Sequence, residues 1–343
     1  LGDIGPSSGI VTIDPKNGYI LAMASSGDYS DSKFNLAAQG KRQPGSSFKT
    51  MALMTALRNG VNPSSTRYTS VSPTRINDPK YGPPFEIKTY SGSGLGNVSL
   101  RKATLASDNS VYIQLALDLG PEKVKQAAWD MGIRSPLEAV PAETLGGLGN
   151  CCSPLEMANA YATLASGGIR NKPIAIRKVE FRDGKTDDSL GKSKGKQVIP
   201  DWVAYETTKI LEQNVQKGTG TKAQMGCPAA GKTGTTDDYT DAWFIGFDPD
   251  ITVGVWLGHD EKKPLGPGET GTTAAVPMWM DFIKAYLDLY HPDREKGERP
   301  RFEPPGNIIF MPVNRYTGEP TSADADGAVT EAFIAGTQPS RQN

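Results

Sequence analysis

Asp241-Ala242-Trp243-Phe244-Ile245-Gly246-Phe247-Asp248-Pro249-Asp250-Ile251-Thr252-Val253-Gly254-Val255-Trp256-Leu257 holds two short runs of aromatic and β-branched residues around an Asp-Pro-Asp turn. That pattern predicts paired strands over 241–247 and 251–257. Near the other end of the chain, 10–14 and 19–23 are also strand-like. Pro15-Lys16-Asn17-Gly18 joins them, and Asn-Gly favours a tight hairpin. Between the hairpins the pattern is mainly helical. Helices are predicted over 100–106 behind Ser99, over 111–117, and over 121–131 with proline in the first turn. Ser153-Pro154-Leu155-Glu156 opens another with a capping-box pattern, and Gly167-Gly168 ends it after Ser166. An amphipathic helix spans 201–216. Strands at both ends of a helical middle imply an α+β fold, with an antiparallel sheet built from strands far apart in the sequence.

The helix over 46–57 is apolar on nearly every face (Phe48, Met51, Ala52, Leu53, Met54, Ala56, Leu57), so it belongs at the centre of the core. Pro44-Gly45 precedes it and Asn59-Gly60 ends it. Residues 62–98, rich in Ser, Thr, Pro, Gly and Asn, read as a long loop. A strand is predicted over 174–181, a charged hairpin tip over 183–197, and a helix rich in Trp, Met and Phe over 273–289. The last stretch has one strand-like patch, 307–313, in an otherwise loose composition. The resulting division is a linker over 1–8, one domain over 9–290 and a loosely structured carboxy-terminal extension over 291–343.

Composition narrows the chemistry. The 343 residues carry 37 Lys+Arg against 38 Asp+Glu, so the near-neutral charge argues against a nucleic-acid partner. No apolar run approaches the roughly 18 residues of a membrane span, and residues 1–30 lack a signal-peptide layout. Only two histidines are present, His259 and His291, which excludes a multi-His metal site and argues against a Ser-His-Asp triad. Cys151 and Cys152 are adjacent and Cys227 stands apart. No zinc spacing or disulfide framework results, and all three read as small buried residues. A nucleophile is to be sought among Ser, Thr, Lys and carboxylates.

Ser-x-x-Lys occurs five times, beginning at Ser30, Ser46, Ser99, Ser189 and Ser193. Context selects Ser46, which opens the buried helix, with Lys49 one turn on and on the same face. Ser46 alone fits an ordinary helix cap. Lys49 is harder to explain so, because burial or a neighbouring cation gives a lysine the lowered pKa that a base needs. Ser107-Asp108-Asn109 is the only Ser-x-Asn and lies in a break between helices. The stretch from Gly226 to Thr233 fits G-x-x-x-x-G-K-[ST], but polar residues precede it and Gly234 with a Thr/Asp run follows, against the strand and helix that a phosphate loop requires. The better reading puts Lys232-Thr233-Gly234-Thr235 on an extended edge strand facing a cleft. Gly234 there permits close approach of a substrate backbone, and Lys232 and Thr235 offer a cation and a hydroxyl to a carboxylate.

Ser-x-x-Lys, Ser-x-Asn and Lys-Thr-Gly in that order form the motif set of serine β-lactamases and penicillin-binding proteins. The chain resembles the transpeptidase domain of class A penicillin-binding proteins. The likeness extends through Phe34-Asn35, the segment Arg42 to Lys49, Ser153 to Ala158 with Tyr161-Ala162, Asp241 to Phe247, Thr317-Gly318 and Phe333 to Thr337, covering about residues 9–337. It implies an antiparallel sheet with helices on both faces and a mostly helical subdomain. The implied activity is D,D-transpeptidation, which cross-links peptidoglycan stem peptides through an acyl-enzyme on Ser46, with β-lactams as inhibitors.

By the same resemblance Lys49 takes the serine proton, and Ser107, helped by Lys232, passes one to the leaving D-alanine. Asn109 holds the donor amide. Thr233, Gly234 and Thr235 bind the donor with Lys232, and the N–H groups of Ser46 and Thr235 form the oxyanion hole. The partners implied are a D-Ala-D-Ala donor, an amine acceptor and β-lactams; no metal or organic cofactor is. Residence on the outer face of the bacterial cytoplasmic membrane is implied as well. A membrane anchor and a glycosyltransferase domain are expected upstream, and this chain contains neither. Thr50 stands where many relatives have proline. Two alternatives stay open. A class A β-lactamase needs a deacylating glutamate, and Glu143 is at a plausible spacing but in Glu143-Thr144-Leu145-Gly146-Gly147, which lacks the E-x-x-L-N pattern. A non-catalytic or β-lactam-sensing module would also keep the motif set.

Overall fold

A computed structural model of the chain describes residues 5–27, 30, 32–149, 151–225, 228–291 and 300–340. Five strands make one antiparallel sheet: β1 (Ser7–Ile13), β2 (Ile20–Ser25), β3 (Ala230–Thr235), β4 (Asp241–Phe247) and β5 (Thr252–Gly258). Their spatial order is β3-β4-β5-β1-β2. The two predicted hairpins are thus joined through their inner strands, with Ile10 opposite Val255 and Ile13 opposite Thr252. Within the later hairpin Trp243 lies opposite Trp256.

Side chains on successive strand residues point to opposite faces, and here both faces are covered. Trp243, Ile245, Phe247 and Trp256 pack into the larger core with the helices. Phe244, Val253 and Val255 pack on the other side against Trp279 and Ile283. All seven residues of β4 are therefore buried. Besides the single turn Leu36–Gln39, the α-helices among the described residues are α1 (Lys49–Arg58), α2 (Leu100–Ala106), α3 (Asn109–Leu119), α4 (Pro121–Met131), α5 (Pro154–Ala165), α6 (Asp201–Lys217) and α7 (Val276–Tyr290). The first five with α6 build the larger core, and α7 covers the opposite face. This is the α+β arrangement read from the sequence, with helices on both sides of the sheet.

Helix α1 runs through the centre, and every residue from Lys49 to Leu57 is buried. The predicted helix over 46–57 divides in two, because Gly45–Phe48 is a 3-10 turn that leads into α1. Helix α5 carries the predicted capping box, with Ser153 and Glu156 each bonding the other's backbone N–H. That reciprocal bonding satisfies donors a helix start otherwise leaves open.

Three sequence expectations change. Residues 62–98 are not a plain loop: Arg67–Ser70 pairs with Gly96–Ser99, and Thr74–Ile76 with Phe85–Ile87. These strands are too short and polar to show a period-two signal. Over 174–181 only Val179–Glu180 is paired, with Thr186–Asp187, while Ile174 makes a single bridge to Tyr19. The apolar residues there find no sheet to join, and Ile176 and Phe181 are exposed. Cys151 and Cys152 are both buried, but they are bonded to each other, a pairing that a search for spaced frameworks passes over. Cys227, like Gly226 of the phosphate-loop match, lies outside the described residues. The strand expected at 307–313 is present as β6 (Ile308–Asn314), and it pairs along its whole length with β7 (Ala328–Ile334). Phe333 and Ala332 of β7 are buried, and Arg101 of α2 is ion-paired to Glu331.

Candidate active site

The segment before α1 is fastened to the sheet from several sides. Arg42 donates to Asp241 of β4 at 2.8 Å, and its guanidinium lies 4.8 Å from the centre of the Trp256 ring. The carbonyl of Gln43 accepts from the Trp243 indole at 2.7 Å. Gly45 has φ +52°, and a Cβ there would come within 2.5 Å of the Thr235 carbonyl oxygen. Only glycine tolerates both demands, so the main chains at Ser46 and Thr235 can lie side by side. On the far side the Tyr161 hydroxyl donates to the Ser47 carbonyl at 2.7 Å and is 2.7 Å from Thr50 Oγ1. Thr50 is therefore part of the support for this turn. Between Pro44 and Thr50 every residue is buried except Ser46, which keeps partial access to solvent.

Four polar side chains converge on Ser46. Lys49 Nζ lies 3.1 Å from Ser46 Oγ, 2.6 Å from Asn109 Oδ1, 2.6 Å from the Ser107 carbonyl and 3.3 Å from Ser107 Oγ. Lys232 Nζ donates to Ser107 Oγ at 2.9 Å. Ser107 Oγ therefore bridges two amines that come from different ends of the sequence. The break between α2 and α3 makes this possible. Ser107 caps α2 in the left-handed region at φ 55°, a conformation costing a non-glycine residue about 1–3 kcal/mol that recurs at functional sites. Asp108 caps α3 through the Val111 N–H at 3.0 Å and accepts from Ser70 at 2.6 Å. Both of its oxygens are thereby occupied, which leaves Asn109 to face Lys49.

Both lysines are fully buried. Burial, then the charge of Lys232, push the Lys49 pKa well below the ordinary lysine value, with Asp108 opposing. Burial alone lowers Lys232 to about 7. A buried ammonium without a paired carboxylate is costly, so the neutral amine is favoured. Lys49 also has the Tyr112 ring 5.5 Å away, and that phenol is engaged by Thr104 at 2.7 Å.

The Lys-Thr-Gly segment is β3, an edge strand, as expected. A strand through Lys232 and Thr233 is also incompatible with a phosphate loop, where a helix would start. Thr233 Oγ1 contacts Thr219 Oγ1 at 2.9 Å, and Thr235 Oγ1 accepts from the Gly271 N–H at 3.1 Å. At Gly234 the expected close approach is made by the protein itself: a Cβ would come 2.3 Å from the Pro44 carbonyl oxygen. Several neighbours carried no sequence signal. Thr272 donates to the Thr219 carbonyl, and the Lys88 carbonyl accepts from Asn109 Nδ2 at 2.8 Å. Tyr90, two residues on, meets the phenol of Tyr239 in the turn after β3. Glu143 is held elsewhere, accepting the N–H groups of Glu138 and Ala139 at 2.6 and 2.8 Å.

An accessible serine, a buried amine one helical turn away and a second amine on the sheet edge define a serine acyl-transfer enzyme. The model of the penicillin binding protein transpeptidase domain matches residues 8–275. The chain belongs to that family. It is 34% identical over 334 residues to penicillin-binding protein 1A of Aquifex aeolicus, covering 96% of this chain and 44% of that protein. To penicillin-binding protein 1A of Neisseria gonorrhoeae it is 35% identical over 344 residues, covering 97% and 41%. The chain thus spans less than half the length of these curated relatives. Among solved structures it superposes on penicillin-binding protein 1A of Haemophilus influenzae with a TM-score of 0.86 at 28% identity, covering 99% of this chain and 55% of the other. It also resembles PonA1 of Mycobacterium tuberculosis in complex with penicillin V, with a TM-score of 0.73 at 28% identity, covering 88% and 81%.

Proposed function

We propose that this chain is the serine D,D-transpeptidase unit of a cell-wall synthase, acting on peptidoglycan stem peptides. The observation that carries the reading is the position of Ser107 Oγ between Lys49 Nζ and Lys232 Nζ, with Lys49 also within 3.1 Å of Ser46 Oγ. In the first half-reaction neutral Lys49 takes the Ser46 proton as Oγ attacks the carbonyl between two terminal D-alanines. The developing oxyanion is received by the N–H groups of Ser46 and Thr235, a contribution of roughly 3–4 kcal/mol per donor in other hydrolases. Ser107 passes a proton to the departing D-alanine nitrogen, drawing on Lys49 and Lys232. Thr233, Thr235 and Lys232 hold the terminal carboxylate, Gly234 keeps the nucleophile turn against the strand, and Asn109 orients the donor amide. An amine of a second stem peptide then attacks the ester carbonyl, forms the cross-link and returns the proton path to its starting state.

A β-lactam presents a strained amide to the same serine and leaves it acylated. The fixed engagement of Glu143 with backbone N–H groups supports a long-lived adduct over β-lactamase turnover. The reading places the catalytic unit within residues 9–290 and takes 291–343 as an extension, while the last two residues of the expected linker over 1–8, Ser7 and Ser8, already pair in β1. It places the protein on the outer face of the cytoplasmic membrane. Among the described residues no helix is long and apolar enough to cross a membrane. Labelling with a fluorescent penicillin tests the reading: stable label on the parent and none on Ser46→Ala is expected. Equal labelling of the two would overturn it.

A further inference from the structure

The segment that follows α6 reaches back to the Lys-Thr-Gly strand, and one side chain holds the two together. Asn214, in the last turn of α6, is fully buried. Its Nδ2 donates to the carbonyl of Gly231, the residue before Lys232, at 2.9 Å. Its Oδ1 accepts both the N–H and the hydroxyl of Thr219, each at 3.2 Å. The amide is thus engaged at both ends, as a buried polar group requires. Gly218 makes room for this. A Cβ there would come 2.3 Å from Asn214 Oδ1 and 2.8 Å from the Leu105 carbonyl oxygen.

Three further segments meet at Thr219. Its N–H also bonds the carbonyl of Leu105, two residues before Ser107, at 3.2 Å. Its carbonyl accepts from Thr272 at 3.0 Å, beside the Gly271 N–H that bonds Thr235 Oγ1. Its hydroxyl oxygen lies 2.9 Å from Thr233 Oγ1. The polarity of that last contact follows from Asn214. Nδ2 is committed to a carbonyl, so the atom facing Thr219 is Oδ1, which only accepts. The Thr219 proton therefore points to Asn214, and the Thr219 oxygen takes the proton of Thr233. In this arrangement Thr233 donates to its neighbour rather than to a carboxylate.

We infer that Thr219 is a positioning residue for the donor carboxylate, acting through Thr233. The inference rests on the transpeptidase reading above and adds a residue to it. A carboxylate only accepts, so Thr233 must turn its proton toward it. The Thr233 oxygen then needs a donor, and a rotating hydroxyl supplies one. Thr219 turns its proton from Asn214 to Thr233, while Asn214 Oδ1 keeps the Thr219 N–H. The chain from Thr219 through Thr233 to the carboxylate then runs in one direction, and each bond in such a chain polarises the next. Valine has nearly the shape of threonine but no hydroxyl, so it takes this partner from Thr233.

The test follows acylation by a fluorescent penicillin, which carries a carboxylate, over a range of concentrations in the parent, Thr219→Val and Thr219→Ser. Asn214 is left intact, because its loss would strip a buried carbonyl of its partner. Thr219 is only partly buried and valine keeps both bonds of its N–H, so the variant folds. In Thr219→Val the half-saturating concentration should rise about three- to tenfold, the worth of one neutral hydrogen bond. The saturated rate should stay at the parental value, and Thr219→Ser should behave as the parent. The methyl ester of the same penicillin lacks the charge and should acylate the parent and Thr219→Val at equal rates. A purely structural role would slow both probes alike. A parental half-saturating concentration in Thr219→Val, the same loss in Thr219→Ser, or equal slowing with acid and ester would overturn the inference and leave the catalytic reading standing. An unlabelled parent would overturn the catalytic reading and this inference with it.

Discussion

The catalytic cluster and the joint between α2, α6 and β7 both bury ionisable groups, but on opposite plans. At the joint, Arg101 is paired with Glu331 at 3.1 Å, and Ser64 donates to the same carboxylate. The two paired charges there are of opposite sign, although Arg101 Nη2 and the neighbouring Glu206 Oε1 find no hydrogen-bond partner among the described residues. In the catalytic cluster two amines share one hydroxyl, and the nearest carboxylate, Asp108, is occupied by Ser70 and the Val111 N–H. The first plan sets a buried charge against a counter-charge. The second leaves like charges unpaired, which drives the amines toward the neutral, proton-accepting form. Burial alone does not make a reactive group; burial without a counter-charge does.

Substitutions can break this contrast from either side. The largest effect is expected from Lys49→Met. Acylation by a fluorescent penicillin should fall about 10²–10⁴-fold, the range for loss of a positioned base. Thermal melting should change little, because the amine's lost hydrogen bonds to Ser107 and Asn109 are offset by removal of a buried polar group. Arg101→Met should do the reverse. Removing one partner of a buried pair costs about 3–5 kcal/mol, so the denaturation midpoint should drop sharply. Acylation by the folded protein should stay within about twofold of the parent, as expected for a site with which it shares no contact.

The smallest effect sharpens the comparison within the joint itself. Glu206 is pushed up to about 7 by burial, partly opposed by Arg101 and reinforced by Glu331. Because its folded pKa lies above the ordinary 4.5, folding takes up a proton between those values. The stability it contributes is full below about pH 4.5 and lost as pH rises through about 7. Glu206→Gln should therefore melt close to the parent at pH 4 and above it at pH 8. An unchanged difference between the two pH values would show that Glu206 is not held protonated in the folded state.

The fold and the centre of the site were legible for a local reason. The hairpin over 241–257, the capped helix at Ser153 and the apolar helix bearing Lys49 each state their structure within a dozen or so residues. Ser107 and Asn109 were legible only through the order of three motifs, since Ser-Asp-Asn alone reads as a turn. What stayed hidden depends on contacts between distant residues. Arg42 with Asp241, Tyr161 with Ser47, Lys88 with Asn109 and Thr219 with Thr233 are joined only by tertiary folding. The short strands between 67 and 99 and the partner strand β7 are likewise set by pairing rather than pattern.

The account turns on whether Lys49 is a neutral amine when Ser46 reacts. The direct measurement is the second-order rate of acylation by a fluorescent penicillin from pH 5 to pH 11. A limb that rises with pH and has its midpoint well below 10.5 is predicted, because burial and Lys232 both favour the neutral form. The two amines interact, so the limb belongs to the pair rather than to one residue. A rate that climbs through an ordinary lysine midpoint near 10.5 would contradict the account.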